Sequence, residues 1–224
     1  QGYDITFINT CFENRKMSYY EHCRYRNFEG VAIVCADYND PDVLELMNSD
    51  LPVVTIDYVH HNCTAVSSNN IQGMEDLVKY IYQQGHRKIA YIHGQENSYV
   101  TKDRLASFYR TMDELGLEVP DEYIRTADYL ETKEAARQTR ELLNLTDVPT
   151  CIIYPDDTAL IGGRNVIIEM GLRIPRDISV AGYDGTRISQ LLHPKLTTIR
   201  QNTELIGSEA AKRLIGTIEK PRTT

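Results

Sequence analysis

Three places in this sequence collect side chains able to do chemistry. The adjacent acids Asp156-Asp157 follow the apolar run 151–154. Paired carboxylates serve acid–base catalysis when they face one another across a substrate. Neighbours at i and i+1 on a helix do not, so one is expected to cap the helix that starts there and the other to face a ligand. His60, His61 and Cys63 are of metal-ligand type. They lack the i,i+4 helical spacing and a partner cluster, so a solvated loop is expected and no metal site. The third place is Asp184, behind 178–183, a short apolar run rich in β-branched residues that ends in Gly182-Tyr183 and is followed by Gly185. A carboxylate where a buried parallel strand opens into a turn stands where open α/β sheets bind ligands; the bland alternative is a turn or helix cap.

Arg104 is expected in the first turn of a helix that begins at Thr101. A cation there opposes the helix macrodipole and usually has another task. Arg104, Asp156, Asp184 and Tyr129 together offer bidentate donors, acceptors and an aromatic face, the combination that sugar hydroxyls and the apolar side of a sugar ring require. For Tyr129 a strand-end core aromatic is an equal alternative. No nucleophile, base and orienter set is visible, and GxSxG and Walker motifs are absent. Gly162-Gly163 lies inside a helical stretch, where close helix packing explains it better than a phosphate loop. Binding without catalysis is the expectation.

The elements that must position these residues alternate along the chain. Apolar runs at 4–9, 31–35, 53–56, 65–67, 88–92, 123–127, 151–154, 178–183 and 196–199 predict strands. Between them lie helical patterns: 17–26, a short one opened by Pro41-Asp42, and one capped around Asn69-Asn70 with Met74, Leu77, Val78 and Ile81 on its stripe. Others carry Leu105, Phe108, Met112 and Leu115, span 132–143, run from Asp157 to about 170, and end the chain with Ile206, Ala210, Leu214 and Ile218. Strands separated by such helices mean right-handed crossovers and parallel sheet. There are more strands than one compact sheet of this length needs, so two α/β lobes with a binding cleft between them are expected. Asp57, His93, Tyr129, Asp156 and Asp184 all fall just after predicted strands.

The whole sequence bounds the function classes. Its 24 basic and 32 acidic residues leave a formal charge of -8, the wrong sign for a phosphate-backbone binder. Five cysteines, an odd number with no CxxC pair, argue for reduced thiols in a cytoplasm. No apolar run approaches the roughly 18 residues a membrane span needs, and the first residues do not resemble a signal peptide. The predicted strand at 4–9 begins with almost nothing before it, as in a chain entered part-way through a domain.

Several runs resemble, in order, the effector-binding core of the LacI/GalR family of bacterial transcription regulators. They are Gln84-Gly85-His86-Arg87-Lys88-Ile89-Ala90, Arg104-Leu105-Ala106-Ser107-Phe108, Gly171-Leu172-Arg173-Ile174-Pro175-Arg176-Asp177-Ile178-Ser179-Val180-Ala181-Gly182-Tyr183-Asp184 and Pro194-Lys195-Leu196-Thr197-Thr198-Ile199-Arg200-Gln201. The resemblance covers essentially the whole chain and is most specific over 171–201. It implies a two-lobed type I periplasmic-binding-protein-like α/β fold, with parallel sheets flanked by helices, that binds a sugar or similar small effector and dimerises. By motif, Arg104 matches the family's effector-binding arginine and Asp184 its ligand aspartate. Tyr129 aligns with a frequent cleft aromatic, Gln72 with a position that can reach ligand, and Asp57 with a common strand-end aspartate. Asp156 stands where the family usually has Asn, and an acceptor-only carboxylate there favours hydroxyl or cationic ligand groups. The family's N-terminal helix-turn-helix, hinge helix, and first core strand and helix have no counterpart in this sequence.

The expected organisation is an N-terminal lobe over 1–84, a C-terminal lobe over 85–197 and a segment 198–224 returning toward the first lobe. The expected function is effector sensing and dimerisation in a transcription regulator that is not an enzyme and needs no cofactor. Its partners would be a carbohydrate-like effector, a second copy, and operator DNA reached only through the helix-turn-helix region. A solute-binding protein of a sugar transport system shares the fold and is the alternative; an enzyme of the doubly wound class ranks third.

Overall fold

The computed structural model describes residues 2–8, 11–12 and 15–220. Its first elements are β1 (Cys11–Phe12), β2 (Arg15–Lys16), α1 (Tyr19–Arg26), β3 (Val31–Ile33), α2 (Pro41–Met47), β4 (Val53–Ile56) and β5 (Thr64–Val66). Next come α3 (Asn70–Gln83), β6 (Ile89–His93), α4 (Tyr99–Glu114), β7 (Ile124–Thr126), α5 (Thr132–Leu143), β8 (Cys151–Ile153) and α6 (Asp157–Glu169). The chain continues through β9 (Ser179–Asp184), α7 (Arg187–Leu191), β10 (Thr197–Arg200) and α8 (Thr203–Glu219). By internal contacts it divides into two units, Gln1–Ser68 with Asn202–Thr224, and Asn69–Gln201.

The first unit holds a three-stranded parallel sheet of order β3-β4-β5 and a short antiparallel β1-β2 ladder. Ser18 and Glu21 form a capping box that starts α1, and Asn27 ends it in the left-handed conformation at φ 54°. Asp40 caps α2, whose first residue is Pro41, and Val43, Leu46 and Met47 turn inward to pack with Cys23, Ile33 and Val53. Helix α8 packs on β3, β4 and β5.

The second unit is a five-stranded, wholly parallel sheet of order β10-β9-β8-β6-β7. Its central strands β6, β8 and β9 are buried on both faces, and period-two alternation sorts their side chains. Ile89 and Tyr91 of β6 join Met74, Leu77, Ile81, Phe108 and Met112 from α3 and α4. Ala90 and Ile92 face the other way, toward Leu142, Leu160 and Ile167 from α5 and α6. Helices α5 and α6 approach closely because Gly162 has no side chain: a Cβ there would lie 2.0 Å from the Thr132 carbonyl oxygen.

The structure departs from the sequence reading in four places. Residues 4–8 form no strand, although they alternate; Ile5 and Phe7 are 87% and 97% exposed, and Asn9 lies outside the described residues. Helix α3 belongs to the second unit, so the expected boundary at 84 falls instead at 68: its stripe of Met74, Leu77, Val78 and Ile81 packs with β6 and α4. Helix α4 starts at Tyr99, which puts Arg104 in the second turn rather than the first. The five-residue α7 and the β1-β2 ladder are too short to leave a periodic signal. No helix of the described residues is long and apolar enough to cross a membrane.

Candidate functional site

Within the second unit β6, β7 and β8 run side by side, with β7 and β8 on opposite flanks of β6. Chain order therefore reverses direction between β6 and β8, and the carboxyl ends of those strands mark the switch point at which open α/β sheets take ligands. Arg104, Tyr129, Asp156 and Asp184 all come to this end of the sheet.

Arg104 is 2% exposed. Its Nε donates to Asn70 Oδ1 at 2.9 Å and one terminal nitrogen donates to the Pro155 carbonyl at 2.9 Å. The guanidinium lies over the Tyr183 ring, 3.4 Å from its centroid, and 6.0 Å from that of Tyr129. Among the described residues no carboxylate forms an ion pair with it, and no further hydrogen bond engages its other N–H groups. Tyr129 closes over Gly94, where a Cβ would meet its ring at 2.3 Å, and its hydroxyl pairs with Thr101 Oγ1 at 2.8 Å. Burial pushes the Tyr129 phenol up, against the pull of Arg104.

The two adjacent acids divide their work. Asp156 is the N-cap of α6: one oxygen accepts from the N–H groups of Thr158 and Ala159, each at 2.8 Å, and the other from Leu130 N–H at 2.8 Å. It is 1% exposed, so both oxygens are engaged by backbone. Asp157, fully buried, accepts from Thr186 N–H at 2.7 Å, Thr186 Oγ1 at 2.8 Å and Thr198 Oγ1 at 2.6 Å. Asp156, the acid of the pair expected at the ligand, is thus the cap, and Asp157 is turned into the fold. It braces the turn that carries Asp184, together with the Gly185 N–H bond to Thr198.

Asp184 ends β9 at φ 100°, a left-handed value that a non-glycine residue holds only when its surroundings impose it. Gln201 Nε2 donates to its Oδ1 at 2.6 Å, and Gln201 N–H to its carbonyl at 3.1 Å. Burial raises its carboxyl above the usual aspartate range; the Gln201 bond and Arg104 pull the other way. Gln72 stands exposed on the first turn of α3 and donates to Asp76 at 2.9 Å, outside this hydrogen-bonded group. Asp57 belongs to the first unit, at φ 57° beyond β4, where it accepts from Ser68 N–H at 3.1 Å. His60 and Cys63 approach within 3.8 Å, but the described residues contain no group able to hold a metal ion.

Sequence reasoning did not single out Asn70, Thr101, Gln201 or the Tyr183 face as parts of this edge. Of the expected capping pair Asn69-Asn70, Asn69 is the cap of α3, accepting from Gln72 N–H at 3.1 Å. Tyr91 also stands at this edge without a signal in the sequence. Its hydroxyl is buried with no hydrogen-bond partner among the described residues, and burial pushes its phenol up, with Tyr129, Arg104 and Tyr183 as its electrostatic neighbours.

The second unit is thus a doubly wound parallel α/β unit whose switch point holds a buried arginine with no carboxylate ion pair among the described residues. The family of periplasmic binding protein-like domains matches residues 78–224. The HTH-type transcriptional repressor PurR of Actinobacillus pleuropneumoniae serotype 3 (strain JL03) is 30% identical over 227 residues, covering 100% of this chain and 67% of its own. Among solved structures, a regulatory protein of LacI family from Chloroflexus aggregans matches with a TM-score of 0.79 and 28% identity, over 92% of this chain and 74% of that one. A complex of the transcriptional regulator CelR with cellobiose matches with a TM-score of 0.78 and 25% identity, over 92% and 66%. The chain belongs to the periplasmic binding protein-like domain family and covers the effector-binding core of a LacI-family transcriptional regulator. Its relatives are repressors and not enzymes.

Proposed function

We propose that this domain binds an uncharged, polyhydroxylated small molecule, a carbohydrate, at the carboxyl edge of the second unit's sheet. One observation carries the reading: Arg104 is buried and stacked on Tyr183, and its hydrogen-bond partners among the described residues are all neutral. A desolvated cation without an ion pair is costly and is a mark of functional sites. Arg104 and Asp184 act as the main donor and acceptor, Tyr129 as the aromatic face, and Gln72 as a further contact. Three carboxylates, Asp156, Asp157 and Asp184, against one guanidinium leave no surplus positive charge for a phosphorylated effector. The solved complex of CelR with cellobiose supports a sugar.

The domain dimerises and works in the cytoplasm, and operator DNA is held by a helix-turn-helix region of the longer protein. An effector with different affinities for two arrangements of the protein shifts their populations and so changes operator affinity. The alternative reading as a transport protein is not favoured, because the relatives are repressors. The test is an operator-binding titration of the full-length regulator with and without cellobiose and a panel of monosaccharides. A sugar that binds should change operator affinity by about 5–150-fold, the usual range of coupling. A sugar that binds this edge and leaves operator affinity unchanged overturns the regulatory half.

A further inference from the structure

The two groups read as effector contacts are each held by a residue beside one of the places where the chain passes between its units. The chain enters the second unit at Asn69 and leaves it at Gln201. Asn70, one residue after the entry, accepts from Arg104 Nε at 2.9 Å across 34 positions of sequence, and both side chains are nearly solvent-free at 4% and 2% exposure. Gln201, at the exit, holds Asp184 twice, by its side chain at 2.6 Å and by its backbone N–H at 3.1 Å. Asn69 caps α3, and β10 ends at Arg200.

We propose that Asn70 and Gln201 are positioning residues that tie Arg104 and Asp184 to the two chain crossings. A displacement of the Arg104 fork must carry Asn70 with it or break a buried hydrogen bond, and the same holds for Asp184 and Gln201. The tie is reciprocal: whatever displaces a crossing also displaces the donor or acceptor that it holds. Its regulatory meaning rests on the effector reading above, but the tie itself is a property of the unliganded domain and can be tested there.

The experiment is amide hydrogen exchange on the unliganded domain, comparing the parent with Arg104→Ala, Asp184→Ala and Asn70→Ala. Loss of one buried hydrogen bond should speed local exchange about tenfold. Arg104→Ala and Asn70→Ala should do this at 68–72 and leave 200–204 as in the parent. Asp184→Ala should do the reverse. Asn70→Asp keeps an acceptor for Nε and should restore protection at 68–72, which a general loosening of α3 would not predict. The proposal is overturned if the crossings of the variants exchange as in the parent, or if faster exchange spreads evenly over β6, β8 and β9. Asn70→Ala keeps the experiment decisive if Arg104→Ala does not fold, and no sugar enters the measurement, so failure of the effector reading leaves its outcome interpretable.

Discussion

The carboxyl edges of the two sheets are built from different materials. In the second unit the edge contains charge removed from water: Arg104, Asp156 and Asp157 are 2%, 1% and 0% exposed, each fixed by at least two hydrogen bonds. In the first unit the corresponding edge buries no carboxylate, lysine or arginine among the described residues. Its centre is a pair of stacked rings, Tyr38 on Tyr58, with centroids 4.0 Å apart and planes 4° from parallel. Tyr38 Oη donates to the Ile56 carbonyl at 2.8 Å and so joins β4 to the loop that follows β3. Each edge holds an aspartate in left-handed backbone, Asp57 and Asp184. The difference teaches where geometry is costly to alter. Buried charges tolerate one arrangement, because losing a partner strands the rest, whereas stacked rings give way gradually.

The largest effect that can break this comparison is expected at Asp157. Asp157→Ala removes the buried acceptor of Thr186 N–H and of two half-buried threonine hydroxyls, and should lower the stability of the second unit by about 2–3 kcal/mol in urea unfolding. Asp57→Ala in the first unit should cost about 1–2 kcal/mol, mainly for holding alanine at positive φ. Equal losses for the two would erase the contrast. Next, Tyr38→Phe keeps the ring stack and loses one hydrogen bond to a carbonyl, so the first unit should fall by about 1 kcal/mol, read from its own unfolding transition.

The smallest effect is a pH dependence at Asp184. Its folded pKa is raised by burial, so the folded unit holds that proton more tightly than the unfolded chain. The protonated group's contribution to stability is full below the ordinary aspartate value and is lost as pH rises through the raised one. Urea midpoints taken across that window should fall for the parent and stay level for Asp184→Asn. A midpoint that rises instead would mean that the Gln201 bond and Arg104 outweigh desolvation.

Much of the scaffold was legible in the sequence because it rests on local signals. Pro41 at a helix start, the stripe through Met74, Leu77 and Ile81, and the apolar run before Asp184 each fix an element within its own neighbourhood. Residues 4–8 show the limit: alternation makes a strand only where a neighbour pairs with it, and the described structure gives them none. The partners of the site residues were not legible for the same reason. Arg104 is held by residues 34 and 51 positions away, and Asp157 by residues 29 and 41 positions away. That one acid of the pair caps α6 could be read from adjacency; that the other turns toward Thr186 and Thr198 depends on the order in which the strands assemble.

The central claim is that the Arg104–Asp184 edge receives the effector. A thermal-shift screen of the domain against mono- and disaccharides including cellobiose, sugar phosphates and nucleobases, run in parallel on Arg104→Ala and Asp184→Ala, tests it most directly. A ligand at about 100 times its dissociation constant stabilises a fold by about 2.7 kcal/mol, a shift easily resolved. The account predicts that an uncharged sugar stabilises the parent and that neither variant responds. A sugar that stabilises both variants as well as the parent, or a sugar phosphate that outdoes every neutral sugar, would contradict it.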